Sequence, residues 1–176
     1  VETLAAGLVL TARPAFTLGD VIEVDRRVGS VVDIGSHTSA IEMIDGTRLY
    51  MPNTNLLRQT VVVYSAHEAR RSTFDLVLAP HTDLDRATAV ITSALARVPI
   101  IVNDPAPVVL ASEIESNAVR LTVCIWFPSG MVSHEPAIDA AIRATYTALE
   151  GAGLELHVFD VSIVDPPTSK APDNDG

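Results

Sequence analysis

The chain has 176 residues, of which 48% are hydrophobic and 19% are charged, and its formal net charge is −10. This length allows one domain or two small ones, with enough apolar surface to fold without disulfide or metal staples. Residues 1–71 carry seven Lys/Arg against eight Asp/Glu, whereas residues 72–176 carry five against fourteen. Because the second part is strongly acidic, it repels phosphate backbones, which argues against general nucleic-acid binding.

No stretch of the sequence approaches the roughly 18–20 apolar residues that a membrane-spanning helix needs. The longest apolar helical stretch runs only from Leu4 to Ala12. We therefore expect a soluble chain, and since it begins at Val1 without a signal-peptide pattern, we expect a piece of a longer protein. The single cysteine, Cys124, lies in an apolar run, which predicts a buried thiol and no internal disulfide.

The first residues predict the end of a helix that leads into a β-rich module. Pro14 cannot continue a helix, and its ring disfavours helical geometry at Arg13, so the helix is expected to end here. Gly19-Asp20 then predicts a turn into the first strand.

The stretch after this turn predicts five short strands separated by regular turn signals. Asp45-Gly46 is typical of a two-residue hairpin, and Pro52-Asn53 is expected to break the fourth strand. Gly29, inside the second strand, predicts a bulge or a bend. Five strands at this spacing predict a small barrel or an open sandwich.

Beyond a polar joint at residues 67–71, the pattern changes to strands that alternate with helices. The expected order is strand, helix, two strands in a hairpin, helix and strand. A capping box is expected to begin at Thr82 before the first of these helices, and Ser133 is expected to cap the second. Tyr146 is placed on the buried side of the second helix. The order β-α-β-β-α-β is that of a split βαβ, ferredoxin-like module.

Taken in order, several short motifs resemble those of small-conductance mechanosensitive ion channels, the MscS-like family, in their C-terminal cytoplasmic region. Each motif is short, and the resemblance rests on their order and spacing across two modules. The matching residues are Leu4, Ala5, Ala6, Gly7 and Leu8 at the end of a pore helix, Arg13, Pro14, Phe16, Gly19 and Asp20 at the helix-to-β junction, Gly29, Thr38, Asp45, Gly46, Pro52, Asn53 and Tyr64-Ser65 in the β module, and Trp126, Ser129 and Gly130 in the α/β module.

The resemblance implies a fold of the β plus α/β class, with a five-stranded Sm-like β-barrel module followed by a ferredoxin-like split βαβ module. Gly7 is either a hinge of the pore helix or a site of close helix packing, because glycine lowers helix stability by ~1 kcal/mol relative to alanine. The implied domains are a pore-helix remnant over residues 1–13, the Sm-like module over 14–66, the ferredoxin-like module over 67–164 and a disordered tail over 165–176.

The resemblance also implies a function, the cytoplasmic vestibule of a tension-gated channel that releases solutes on hypo-osmotic shock. The implied partners are copies of the same chain in a homo-heptamer, membrane lipid contacted through upstream helices, and permeating ions and small osmolytes, with no nucleic acid. The implied location is the cytoplasmic side of a bacterial inner membrane. No enzymatic activity is expected.

No pattern in the sequence predicts catalysis, a metal site or a cofactor. The five histidines lack metal-ligand spacing, and the neighbours Ser133-His134-Glu135 do not face one another as a catalytic triad does. Three other interpretations stay open. They are a Sm-like RNA-binding ring, a ligand-sensing domain of a channel that does not respond to tension, and a ferredoxin-like small-molecule-binding enzyme module.

Overall fold

The computed structural model describes the chain over residues 15–115, 117–156 and 163–164. The predicted pore-helix end at residues 4–8, the Arg13-Pro14 junction and the predicted tail from Asp165 onward lie outside these residues.

The chain divides into two compact units. The first contains the chain up to Arg70 together with Pro128–Ser133, and the second contains Arg71–Phe127 and the residues from His134 onward. Each unit has a sheet of its own.

The first unit is built around a five-stranded antiparallel sheet. Its strand order is β4-β3-β2-β1-β5, so consecutive strands are neighbours and the fifth returns to pair with the first. The five predicted strands are confirmed, although the last is shorter than expected. The strands are β1 (Val21–Val24), β2 (Arg27–Ile34), β3 (Thr38–Met43), β4 (Arg48–Pro52) and β5 (Val62–Val63).

A short helix that the sequence did not predict follows β4. The helix α1 spans Asn53–Arg58, with Pro52 at its N-cap position. The predicted end of the fourth strand at Pro52-Asn53 is confirmed, but no signal in the sequence indicated the helix that follows it. A proline is compatible with this position because the first N–H groups of a helix have no partner within it. One side of α1 contributes the buried Leu56 to the core, and a 3₁₀ turn, Tyr64–Ala66, follows β5.

The core of the first unit is formed by apolar side chains from one face of the sheet. Alternate residues of a strand point to the same face, and Ile22, Val24, Val31 and Ile41 meet in this way. Phe16 joins them from the segment before β1 and is only 3% exposed. The segment that leads into the sheet is therefore part of its core.

Strands β2 and β3 approach each other closely at Gly29. A Cβ at this position would lie 2.5 Å from the Glu42 carbonyl oxygen and 2.7 Å from Ile41 Cγ2. Gly29 nevertheless pairs in regular register with β3, and the register shift lies between Val31 and Asp33. Of the two features predicted at Gly29, a bulge or a bend, the bulge is therefore wrong, and the missing side chain permits close backbone approach.

The hairpin between β3 and β4 has three loop residues and not the predicted two. The Gly46 N–H donates to the Met43 carbonyl at 3.0 Å, and the Met43 N–H donates to the Thr47 carbonyl at 2.8 Å. The Asp45 carboxylate accepts from the Thr47 hydroxyl at 2.6 Å and from its N–H at 2.9 Å, which lowers the pKa of Asp45. A glycine after the turn is typical of three-residue hairpin loops.

The second unit combines a four-stranded sheet with two helices. The strand order in the sheet is β7-β8-β6-β9, and the predicted β-α-β-β-α-β order along the chain is confirmed. The elements are β6 (Ala69–Leu78), α2 (Leu84–Leu95), β7 (Val108–Ile114), β8 (Val119–Pro128), α3 (Glu135–Gly151) and β9 (Ile163–Val164).

Both helices of this unit begin one residue later than the sequence predicted. At α2 the N-cap is Asp83 and not Thr82, because the Asp83 carboxylate accepts from the Arg86 N–H at 3.0 Å. At α3 the N-cap is His134 and not Ser133. In both cases several polar residues precede the helix, and the sequence alone does not choose among them.

The core of the second unit comes from apolar faces of α2 and α3, which contact each other, and from β6 and β8. Tyr146, which was predicted to be buried, is exposed, and its hydroxyl donates to Glu150 Oε1 at 2.7 Å. Its neighbour Thr145 takes the inward position. Cys124 is buried, as predicted. The fully buried residues include Phe74, Leu78, Ile91, Leu95, Leu121, Ile125, Ile138 and Leu149.

Candidate functional site

Several residues that the sequence singled out lie in the turn that leads into β1, residues 16–20, which we name the junction turn. The Gly19 N–H donates to the Val31 carbonyl at 2.8 Å, and the Val31 N–H donates to the Asp20 carbonyl at 2.8 Å. With Phe16 buried in the core, these bonds attach the junction turn to β2. Gly19 has φ +89°, a conformation that glycine adopts without steric cost.

The carboxylate of Asp20 is the polar centre of the junction turn. Its Oδ2 accepts from the Thr17 N–H at 2.5 Å and from the Thr17 hydroxyl at 3.0 Å. Its Oδ1 accepts from the Ser65 hydroxyl at 2.6 Å, and the Ser65 Oγ accepts in turn from the Val21 N–H at 3.1 Å. Hydrogen bonds from Ser65 and Thr17 stabilise the ionised carboxylate and hold the pKa of Asp20 below its ordinary value of 3.8.

Tyr64 and Ser65, in the 3₁₀ turn after β5, form a pair that we name the clamp. The Tyr64 hydroxyl donates to Glu23 Oε2 at 2.5 Å, so the clamp holds β1 at a second point. The Arg70 guanidinium carbon lies 4.3 Å from the centroid of the Tyr64 ring, within range of a cation–π interaction. Burial lowers the pKa of Arg70.

Sequence reasoning found the clamp only through the family resemblance, and it missed Thr17 and Glu23 altogether. The clamp contacts are separated by 44 and 45 positions for Ser65 and by 41 for Tyr64. Pairs so far apart leave no periodic signal in a single sequence. The short spacing between Thr17 and Asp20 was the one local signal, because a hydroxyl and a carboxylate three residues apart often close a turn.

Asn53 is a second polar centre of the first unit and is fully buried. Its Nδ2 donates to the Gly35 carbonyl at 2.8 Å, and its Oδ1 accepts from the Ser39 hydroxyl at 2.9 Å. Its N–H donates to the His37 carbonyl at 2.9 Å. Thr38, which was also singled out, begins β3, and its carbonyl accepts from the Gly35 N–H at 2.9 Å. Asn53 thus fastens the β2–β3 loop to the start of α1.

The structure separates the residues of the motif predicted in the α/β module. Trp126 belongs to the second unit, where its carbonyl accepts from the Val102 N–H at 2.8 Å. Ser129 belongs to the first unit and is buried. The Ser129 N–H donates to the Glu68 carbonyl at 3.0 Å, and its hydroxyl donates to the His67 carbonyl. Ser129 therefore holds the linker that precedes β6.

The remaining predicted residues join neither polar centre. Gly130 is exposed, and Gly29 lies at the close contact between β2 and β3. Asp45-Gly46 lies in the β3–β4 hairpin, and Pro52 precedes α1. These residues shape the sheet and its loops.

Two further observations concern the described residues alone. They include no group of three or more His, Cys, Asp or Glu side chains placed to hold a metal ion. None of their helices has the length and the apolar stretch that crossing a membrane requires.

Comparison with known proteins identifies the module to which the junction turn belongs. Residues 1–66 match the family described as mechanosensitive ion channel, beta-domain. Residues 1–66 are therefore similar to the β-domain of MscS-like channels. The family that the sequence motifs predicted is therefore confirmed, and it is a family of channels.

Curated relatives of this MscS-like chain extend the match beyond the β-domain. An uncharacterized MscS family protein of Archaeoglobus fulgidus is 27% identical over 129 residues, which are 73% of this chain and 46% of the relative. Another, of Buchnera aphidicola subsp. Schizaphis graminum, is 25% identical over 126 residues, which are 71% of this chain and 44% of the relative. The MscS-like chain spans about half the length of the curated relatives it matches.

Two solved structures share the fold of this chain. The crystal structure of Helicobacter pylori MscS in a closed state matches with a TM-score of 0.74 and 16% identity, over 94% of this chain and 65% of that one. The cryo-EM structure of Arabidopsis thaliana MSL1 matches with a TM-score of 0.67 and 17% identity, over 89% and 58%. Identities this low establish the fold and do not transfer a function.

Proposed function

We propose that this chain is the cytoplasmic vestibule of a tension-gated ion channel that releases solutes on hypo-osmotic shock. The observation that supports the proposal most is the match of residues 1–66 to the β-domain of mechanosensitive channels. The junction turn adds a physical reason. It is anchored by Phe16 in the core and by the charge-assisted bonds of Asp20, which suits a segment that receives force from a preceding helix.

In the proposed mechanism, force enters through the last turns of a pore helix, which include residues 4–8 and in which Gly7 allows the helix to bend. It passes the Arg13-Pro14 junction, which ends the helix, and reaches the junction turn. The turn is bonded to β2, and the five-stranded sheet behind it is stiff because its strands are cross-linked by backbone hydrogen bonds. Because the sheet is stiff, a movement of the pore helix is opposed by the vestibule or displaces the first unit as a whole.

We propose that the first unit is a Sm-like module and that the second is a ferredoxin-like module, with the domain bounds 1–13, 14–66, 67–164 and 165–176. The return of the fifth strand to the first supports the Sm-like assignment. The order β-α-β-β-α-β, with the sheet order β7-β8-β6-β9, supports the ferredoxin-like assignment.

The proposed assembly is a homo-heptamer on the cytoplasmic side of a bacterial inner membrane. Its lipid contacts come through helices that precede this chain in a longer protein. Permeating ions and small osmolytes pass through it, and nucleic acid is not a partner. The acidic charge of residues 72–176 supports this part of the proposal, because it attracts cations and repels phosphate backbones.

The test is a patch-clamp recording of the complete protein that contains this chain, reconstituted in liposomes and stretched by a suction ramp. Reproducible currents that rise with tension, and that are absent from liposomes without protein, are the expected result. An assembled protein that stays silent up to the lytic tension contradicts tension gating. Retention of RNA by that protein at moderate salt would then favour the Sm-like RNA-binding alternative.

A further inference from the structure

We infer that the clamp couples the junction turn mechanically to the start of β6, residues 69–70 of the first unit, and that Ser65 is the positioning residue of this coupling. Only the consequence for gating rests on the proposed function. The coupling itself is a property of the fold and is tested separately.

The first step concerns the two bonds of a single oxygen atom. The Ser65 hydroxyl donates to Asp20 Oδ1 at 2.6 Å and accepts from the Val21 N–H at 3.1 Å. Asp20 is the last residue of the junction turn, and Val21 is the first residue of β1. Ser65 therefore bridges the point where the turn becomes a strand, and a change to alanine removes both bonds at once.

The second step concerns the opposite side of the clamp. The Tyr64 hydroxyl is bonded to Glu23 on β1, and the Arg70 guanidinium lies over the Tyr64 ring at 4.3 Å. Arg70 is the second residue of β6, the strand along which the chain leaves the first unit. The Tyr64 side chain thus contacts both the strand that follows the junction turn and the strand that leaves the unit.

The third step concerns the linker between the clamp and β6. It is short, and Ser129 holds it through the carbonyl groups of His67 and Glu68. A linker fixed at both ends leaves little slack to absorb a displacement. A shift of the junction turn must therefore move the start of β6 or break the clamp, since coupling is carried by contiguous packed and hydrogen-bonded groups.

The structural test is amide hydrogen exchange, followed by NMR, in the 176-residue chain. In Ser65→Ala, the Val21 amide loses its acceptor and is expected to exchange about tenfold faster. Coupling predicts faster exchange also at the Ser129 amide, which donates to Glu68 in the linker. Faster exchange confined to Val21 and its neighbours in the junction turn would overturn the inference.

Two variants control this measurement. Ser65→Thr keeps a hydroxyl that can donate and accept, so it is expected to restore the slow exchange of both amides. Ser36→Ala removes an exposed hydroxyl of the same unit. The Ser36 Oγ lies 2.8 Å from Nδ1 of the neighbouring His37 ring and is remote from the clamp in the sequence. This change is expected to leave both amides unchanged. Failure of Ser65→Thr to protect the Ser129 amide would count against a positioning role.

The functional test compares Ser65→Ala with Ser36→Ala in the complete reconstituted protein. Loss of the two Ser65 bonds is expected to lower the tension of half-maximal opening, because the junction turn then moves without carrying the start of β6 along. An unchanged or raised midpoint overturns the coupling when wild-type currents are present. Absence of wild-type currents instead contradicts the proposed function, while the exchange result stands.

Discussion

The two units of this chain are stabilised by different kinds of interaction. In the first unit, buried or half-buried polar side chains such as Asp20, Ser65 and Asn53 bond to the backbone of loops and turns. In the second unit, the apolar faces of α2 and α3 and of the sheet provide most of the buried surface.

The difference follows from what each unit has to position. A helix satisfies its own backbone hydrogen bonds, so burying an apolar face is enough to fix it. A turn or a loop leaves N–H and C=O groups without regular partners, and side chains must supply them. The segments proposed to receive force are of the second kind, and they are therefore held by individual hydrogen bonds that single substitutions can remove.

The largest expected effect tests the apolar core of the second unit. Ile91 on α2 is fully buried, so Ile91→Ala is expected to lower the free energy of unfolding by about 2–5 kcal/mol, because it leaves a cavity. Urea denaturation followed by circular dichroism measures this change. The matched control is Ile114→Ala on β7, where the side chain is 78% exposed, with an expected change within about 0.5 kcal/mol. Equal losses of unfolding free energy in the two variants would contradict the view that apolar burial stabilises the second unit.

The next prediction tests whether a buried polar side chain of the first unit contributes as much to the free energy of unfolding as an apolar side chain of the second. Asn53→Ala leaves the Gly35 carbonyl and the Ser39 hydroxyl without their amide partner, and it is expected to cost about 2–3 kcal/mol of unfolding free energy. Asn55→Ala, at an exposed position of the same helix, is the control and is expected to be nearly neutral. A loss of stability in Asn55→Ala as large as that in Asn53→Ala would attribute the effect to the helix and not to the buried bonds.

A third prediction concerns backbone approach in the first sheet. Gly29→Ala introduces a Cβ that meets the Glu42 carbonyl oxygen, a backbone atom that cannot move alone. We expect a loss of about 1–3 kcal/mol in unfolding free energy, measured by thermal or urea unfolding. At Gly130 a Cβ meets no atom within 4 Å, so Gly130→Ala is expected to be tolerated. A neutral Gly29→Ala would show that β2 and β3 separate easily.

The smallest expected effect is a pH-dependent loss of stability, and it tests whether the charge of Asp20 stabilises the junction turn. Asp20 has a pKa below 3.8 in the folded chain, mainly because Ser65 and Thr17 donate to it. Its contribution, on the order of 1 kcal/mol, is fully present above the pKa of the unfolded chain and is lost as the pH falls through the lower folded pKa. Asp20→Asn is therefore expected to be less stable than wild type at pH 7, with the difference shrinking below pH 3.8.

The control for this titration is Asp33→Asn, an exposed carboxylate on β2. We expect its difference from wild type to stay small across the same pH range. A difference between Asp20→Asn and wild type that does not change with pH would mean that the charge of Asp20 does not contribute, and that the shape of the side chain alone matters.

Features governed by local periodicity were predicted well. Regular turn signals located all five strands of the first sheet, and the change to helical spacing located α2 and α3. Predictions failed where several residues competed for one position. Asp83 and not Thr82 is the N-cap of α2, and His134 and not Ser133 is the N-cap of α3.

By itself, the sequence determined the order of the strands and of the two longer helices and, through short motifs, the channel family. These properties are local or cumulative, and each segment contributes to them independently of the others. The tertiary structure alone decided that Asp20 meets Ser65, that Tyr64 meets Glu23, and that Gly29 lies in close contact with β3. Such contacts join residues far apart in the chain, and they exist only once the sheet has brought its strands together.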